Sequence, residues 1–539
     1  MEAYVNGIIH SMDNHQIYQA MLIDKGIIKA LGSNEEINKL INKQTIINDL
    51  NKQVVLPGFN DSHLHALMSA TKMKQIDLSK AQSIDDIIRI VKNNISSNMA
   101  EDEWIIGYGW NQDYFETKSF FTNKDLDCIS TTNPICLIRA CVHVCIVNSK
   151  ALEIINLDID NYINDPEMNI GLNKEGELNG LFGEKALDLV YTHFKTLSLN
   201  DIKNLILAFT KHLNSYGITS IQSDDFTALS NISYEMIIKA YQELALSNEL
   251  NIKVYQQCLL PTVELFKEFL HKGYRTKQQF NNYTIGPLKL LQDGSLGARS
   301  AYLQEPYHDD PINQGIRIYD DETLLAFGNL AQENKIQIAI HGIGDGAIAS
   351  ILRMYERLQE DYDISNSRHG IVHTQITDQF LIKRIKDTYS VIYAQPIFLH
   401  YDIHIVKERV GLKKALTSYA FKTLIKQQTS VSLGTDSPVE SVNPFDNIYC
   451  AVTRKDLNNN MQESFNKKEC LSIYEAINAY TNEGAYQSFS EDTKGNLMIN
   501  KEADFIIINQ DIFTIDHDLI RATKVLKTYL NGQLVYEAK

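Results

Sequence analysis

His63 and His65 stand two residues apart in Leu56-Pro-Gly-Phe-Asn-Asp-Ser-His63-Leu-His65. The apolar run Val54–Leu56 before them reads as a buried strand, and Pro57 and Gly58 break its ladder. On an extended backbone, residues i and i+2 point to the same side. Two imidazoles therefore converge on one point at the exit of a strand. Neutral imidazole is the commonest protein ligand for divalent transition metals, so the chemistry on offer is metal binding.

Residues of the same kind recur after other apolar runs. Lys289 precedes Gln292-Asp293-Gly-Ser-Leu-Gly-Ala-Arg299. His341 opens Gly-Ile-Gly-Asp345-Gly, and His373 closes a run that begins at His369. Asp436 sits in Gly434-Thr-Asp436-Ser-Pro438. Each has an ordinary explanation alone: a core histidine, or an aspartate that starts a turn. Together they ask for a fold that brings the ends of many strands to one place.

The middle of the chain has that pattern. Short apolar strands alternate with helical stretches, the signature of a parallel α/β fold. The candidate strands are Val54–Phe59, Gly217–Gln222, Ile252–Leu259, Pro287–Leu291, Ile336–Ile340, Gly370–Val372, Ser390–Ala394 and Ser430–Leu433. Eight such units predict a (β/α)8 TIM-type barrel, whose chemistry sits at the C-terminal ends of its strands. The long gap after the first strand requires an insertion at about residues 75–200. It holds Trp104, Trp110 and an aromatic run from Gly107, which would either line a substrate pocket or form the insert's own core.

The two ends differ from the middle. Residues 3–32 and the segment from Ala503 alternate short strands and turns, and Asn531-Gly532 between apolar runs is a hairpin signal. Residues 1–55 and 490–539 are expected to pair into one small β-sandwich-like domain, leaving 56–489 for the barrel.

Composition narrows the function. A 539-residue chain of formal charge −16 repels phosphate backbones, which argues against nucleic acid and anionic membrane surfaces. No apolar run is long enough to span a bilayer. The start, Met1–Val5, lacks a basic and then apolar leader, and seven scattered cysteines suit reduced thiols. A cytoplasmic protein is expected. Cys141-Val-His143-Val-Cys145 alternates with apolar residues and reads as a strand rather than a zinc knot. No Gly-x-Ser-x-Gly elbow occurs, and Gly342-Ile-Gly344-Asp-Gly346 is not a dinucleotide fingerprint.

In its motifs the chain resembles the metal-dependent amidohydrolases of the amidohydrolase-3 branch over nearly its whole length. The resemblance is carried by Leu-Pro-Gly-Phe-x-Asp-x-His-x-His at 56–65, Arg139-Ala-Cys-Val-His143, Asn148-Ser149-Lys-Ala-Leu, Lys289…Arg299, His341, His373, Gln395-Pro396, Gly434…Pro438 and Gly495…Asp504. It implies a metal site of His63, His65, Lys289, His341, His373 and Asp436, holding one or two divalent ions, zinc first. An ammonium cannot ligate, so Lys289 would have to be carboxylated to bridge two ions; otherwise it would pair with a carboxylate such as Asp293. Two positions depart from the branch. Val372 stands where a glutamate is usual before His373, with His369 or Gln375 as substitute supports. Asn500 replaces a glycine in a turn, where asparagine tolerates a left-handed backbone.

The implied activity is hydrolysis of a non-peptide carbon–nitrogen bond. Metal-bound hydroxide would attack an amide- or formamide-type carbonyl, with Asp436 as general base and then acid. His143 and Arg299 are candidate substrate contacts. Cyclic-amide opening or deamination is the alternative within enzymes. A non-catalytic ligand-binding relative fits less well, since all five His and Asp positions are kept. The expected partners are a small amide-type substrate and, at most, a second copy of the chain in a homodimer.

Overall fold

The computed structural model describes residues 1–539 apart from 96–98, 101–102, 117, 119, 141–143, 163–167, 195, 230–231 and 459–462. Eight strands form one parallel path: β1 (Phe59–Leu64), β2 (Ile218–Asp224), β3 (Lys253–Leu259), β4 (Tyr283–Leu291), β5 (Ile338–Gly342), β6 (Gly370–His373), β7 (Val391–Ala394) and β8 (Val431–Leu433). The circle closes just beyond β8. There the Asp436 amide donates to the His63 carbonyl at 2.8 Å and the His65 amide to the Ser437 carbonyl at 2.8 Å. This is a TIM-type α/β barrel with helices outside it.

The helices are amphipathic for a local reason. In Asp345–Asp361, Ile348, Ile351, Leu352, Tyr355 and Leu358 recur at helical spacing and are buried. Several begin at a side-chain cap. Thr262, Asp320 and Asp378 each accept a hydrogen bond from the amide three residues on. Losing such a cap costs about 1 kcal/mol.

The first barrel strand is not Val54–Phe59. Val54–Pro57 belongs to another sheet, and the barrel strand starts at Phe59 and runs through His63. Pro57-Gly58 is thus the crossing between two sheets rather than the end of a strand. A Cβ on Gly58 would lie 2.2 Å from Thr219 Oγ1, which leaves no room for a side chain at the crossing. The second strand extends two residues past Gln222, to Asp224, and the fourth begins earlier, at Tyr283.

Val54–Pro57 pairs antiparallel with Phe505–Ile508, so residues near the two ends of the chain share one six-stranded sheet. Four further strands, from Glu2–Val5 to Ile46–Asp49, form a second sheet. The sheets pack through Tyr4, Met21 and Ile28 on one side and Ile9, Val55, Phe505 and Tyr529 on the other. The Tyr4 ring meets Phe505 edge-on at 5.1 Å, and Phe505 stacks on Tyr529 at 4.3 Å. Asn531 and Gly532 adopt φ of 50° and 72° between the last two strands, as a tight hairpin requires. Asn500 is also left-handed, at φ 72°.

A second compact unit, built chiefly from Met68–Ser198, has its own six-stranded sheet. Trp110 is fully buried in this unit's core, donates to the Leu137 carbonyl at 2.9 Å and meets Phe121 edge-on. It is a core residue of the insert. Trp104 packs against Phe194. Val144–Val147 forms a strand, whereas Cys141 to His143 lie outside the described residues.

Candidate metal centre at the barrel mouth

Asp61 anchors the first strand to the last. Its carboxylate accepts the Thr435 hydroxyl at 2.7 Å, the Thr435 amide and the His63 amide at 3.2 Å. Burial pushes this carboxyl up to about 7 against those donors. Gly434 lets the two segments touch, since a Cβ there would lie 2.5 Å from the His63 nitrogen. His63 and Asp436, 373 positions apart in sequence, are thereby held side by side.

The cluster forms around Asp436 Oδ1. His63 Nε2 lies 3.2 Å from it and His65 Nε2 3.1 Å. His63, His373 and Asp436 each offer one ligand atom, all within 4.8 Å of one another, and all three residues are buried. His373 and Asp436 hold left-handed backbones, at φ 75° and 58°. Such conformations cost roughly 1–3 kcal/mol for non-glycine residues and are sustained by the surrounding structure.

The far side of each imidazole decides what the near side can do. His63 Nδ1 lies 2.7 Å from Gln257 Oε1, His65 Nδ1 2.8 Å from the Asp224 carbonyl, and His373 Nδ1 2.8 Å from Gln395 Oε1. A carbonyl only accepts, so each of these Nδ1 atoms carries a proton and Nε2 is the atom facing the cluster, a lone pair on His63 and His373. His341 has the opposite tautomer. Its Nε2 donates to the Gly294 carbonyl at 3.0 Å, which leaves Nδ1 as the donor atom, with the ring 4.4 Å from that of His373. Lone pairs presented by fixed imidazoles beside a carboxylate fit a divalent metal ion.

Lys289 is buried on β4, 3.4 Å from His63 Nε2 and 3.3 Å from Asp224 Oδ2. Its carboxylate partner is Asp224, not Asp293. Asp293 instead accepts the amides of Tyr302, Ile343 and Gly344 and approaches His341 at 3.3 Å, which shapes the loop after β5. Nor do His369 and Gln375 support His373. His369 hydrogen-bonds Gln332 and the Ile338 amide and stacks on Tyr355, while Gln375 bonds Tyr419. Gln395 fills the supporting place. Arg299 forks onto Asp309 at 2.9 Å, and His143 lies outside the described residues.

Charge follows from this packing. Burial, reinforced by Lys289, lowers the His63 pKa to about 4, so that ring is neutral. Burial and His341 hold His373 well below its ordinary range. Burial opposes charge on His65 and on Asp436 too, but their mutual hydrogen bond outweighs it. His65 rises to about 9, so its Nε2 also carries a proton, donated to Asp436, which a bound ion would have to displace; Asp436 falls well below the usual carboxylate range.

The supporting residues Asp224, Gln257 and Gln395 escaped sequence reasoning as functional groups. Asp224 ends β2 and was two residues beyond the expected strand end. Gln257 lies within β3 with nothing local to mark it. Gln395 was visible inside Gln395-Pro396, but without a role.

Comparison with known proteins agrees with this geometry. The amidohydrolase-3 model, described as the amidohydrolase family, matches residues 47–536. The YtcJ protein of Bacillus subtilis is 33% identical over 537 residues, covering 98% of each chain. An N-substituted formamide deformylase of Arthrobacter pascens is 21% identical over 99% of this chain and 98% of its own. The crystal structure of an uncharacterized metal-dependent hydrolase from Pyrococcus furiosus superposes with a TM-score of 0.78 at 27% identity, covering 95% of this chain and 100% of that one. The family match runs from a strand before the paired histidines to the last strand of the chain, and the protein therefore belongs to the amidohydrolase family, metal-dependent hydrolases that act on carbon–nitrogen bonds.

Proposed function

We propose that this enzyme hydrolyses a non-cyclic amide- or formamide-type bond of a small molecule, with His63, His65, His341, His373 and Asp436 holding one or two divalent ions, zinc first. The observation that carries the reading is the tautomer pattern: each imidazole is tied at one nitrogen and presents the other to the cluster. A bound ion would supply Lewis acidity and lower the pKa of a water from about 16 towards roughly 7. The chain does the rest. Oδ1 of Asp436 is turned towards His63 and His65, which leaves Oδ2 to take a proton from water and return it to the departing nitrogen. Lys289, where it remains an ammonium, brings positive charge beside the cluster.

With two ions Lys289 would be carboxylated; with one it would remain an ammonium on Asp224. Arg299 has no part in this reading, because its guanidinium is taken by Asp309. The deformylase relative supports formamides as the first substrates to try. A cytoplasmic setting is supported by six described cysteines that are all free, and no described helix is long and apolar enough to cross a membrane. The test is product analysis. N-substituted formamides should give amine and formate, whereas ammonia released from a ring substrate, with no turnover of open-chain amides, would favour the deaminase alternative.

A further inference from the structure

A cavity of about 200 Å³ adjoins the metal cluster and is lined from the loops after β4 to β8. Leu296, Ile343 and Phe398 form its apolar wall, and Phe398 stacks on His373 with ring centroids 5.6 Å apart. The Val439 amide, also in the lining, donates to the Asp436 carbonyl at 2.9 Å. Two residues of the lining thus touch two residues of the cluster. The cavity is also acidic. Asp402 and Glu440 both face it, and among the described residues lining it there is no lysine or arginine.

The two carboxylates are not equally satisfied. Glu440 is held by His400 Nε2 at 3.1 Å. Asp402 is only 7% exposed, and its Oδ2 accepts the Tyr419 hydroxyl at 2.7 Å. Its Oδ1 accepts from no described residue. Burial holds this carboxyl up at about 6, with the Tyr419 hydroxyl opposing the rise, Glu440 adding to it and His400 opposing it. A carboxylate oxygen with no protein donor favours a ligand that can donate to it.

We propose that this cavity is the substrate's second anchor, and that Asp402, seconded by Glu440, receives a cationic amine at the end of the substrate remote from the scissile bond. The inference rests on the hydrolysis proposed above and names its substrate class: a mono-N-acyl or mono-N-formyl diamine with a short aliphatic linker. Water adds to the carbonyl carbon, the carbon–nitrogen bond breaks, and the released nitrogen takes a proton, giving the diamine and a carboxylate. The apolar wall packs the linker, and the charged end pairs with Asp402 through a hydrogen bond strengthened by both charges.

Two measurements on the metal-loaded enzyme test this. The first compares kcat/KM for N-formyldiaminobutane with that for N-formylpentylamine, its neutral counterpart of equal length. The cationic substrate should be preferred by about tenfold or more. Asp402→Asn should remove the preference, bringing the kcat/KM ratio of the two substrates to about one, and Glu440→Gln should reduce it. The second measures binding of diaminobutane and of pentanol, an uncharged chain of equal length, by calorimetry. The diamine should bind about tenfold more tightly, and not in Asp402→Asn. Equal turnover and equal binding of the two members of each pair would overturn the inference and leave the hydrolase reading standing. Preferred binding of the diamine with no turnover of either formamide would uphold the cavity's specificity and sink the hydrolase reading instead.

Discussion

Gln257 Oε1 lies 2.7 Å from His63 Nδ1, while Gln257 Nε2 donates to the Ser62 carbonyl at 3.2 Å. A side-chain amide has one accepting end and one donating end. Because its donor is committed to a carbonyl, its acceptor faces the imidazole and fixes the proton on Nδ1. Gln257→Leu frees that proton to move to Nε2. Supporting residues of this kind typically contribute about 10–100-fold to metal affinity. The variant should stay folded and yield its metal to a competing chelator at a correspondingly lower concentration. Unchanged affinity would mean that His63 does not ligate through Nε2.

Asp436→Asn keeps the size of the side chain and its place beside His63 and His65 but cannot take up a proton at Oδ2. A general base is worth roughly 10²–10⁴-fold. Turnover should fall by that much in single-turnover measurements, with the thermal midpoint close to wild type. A loss under about threefold would remove Asp436 from proton transfer.

Truncation near residue 488 should leave Val54–Pro57 without its partner Phe505–Ile508 and expose a bare sheet edge. The product is expected to aggregate, as seen by light scattering. A monodisperse, cooperatively melting truncation would show that residues 1–55 do not depend on 490–539 for a stable domain.

Lys494 is 8% exposed and bonds Ser220. Burial, with Lys253 adding repulsion, lowers its pKa to about 7. In the unfolded chain the amine titrates near about 10.4. Between those values the unfolded state binds the additional proton, so this group makes stability rise with pH from about 7 towards about 10. Lys494→Met removes that dependence. Its gain in Tm over wild type should be largest at about pH 6.5 and shrink by about pH 9.5. A difference that is constant across this range would contradict the assignment.

Much of this was legible before the fold was known. The His63/His65 spacing and the positions of Lys289, His341, His373 and Asp436 could be read because parallel barrels put such residues at strand ends, where local sequence marks them. The supporting atoms could not. Gln257 stands 194 residues from His63, and Asp224 159 from His65, so only the closed barrel makes them neighbours. Pro57-Gly58 misled for a related reason. Such a pair reads as a stop within one sheet, and nothing nearby shows that the strand before it is claimed by Phe505–Ile508 from the far end of the chain.

The central claim is hydrolysis that depends on an ion at the barrel mouth. The most direct measurement is metal content and formamide hydrolysis on one sample, before and after exhaustive chelation and after adding zinc back. The account predicts roughly one to two divalent ions per chain, no turnover once they are removed, and recovery on restoration. Undiminished hydrolysis in a sample verified to be metal-free would contradict it.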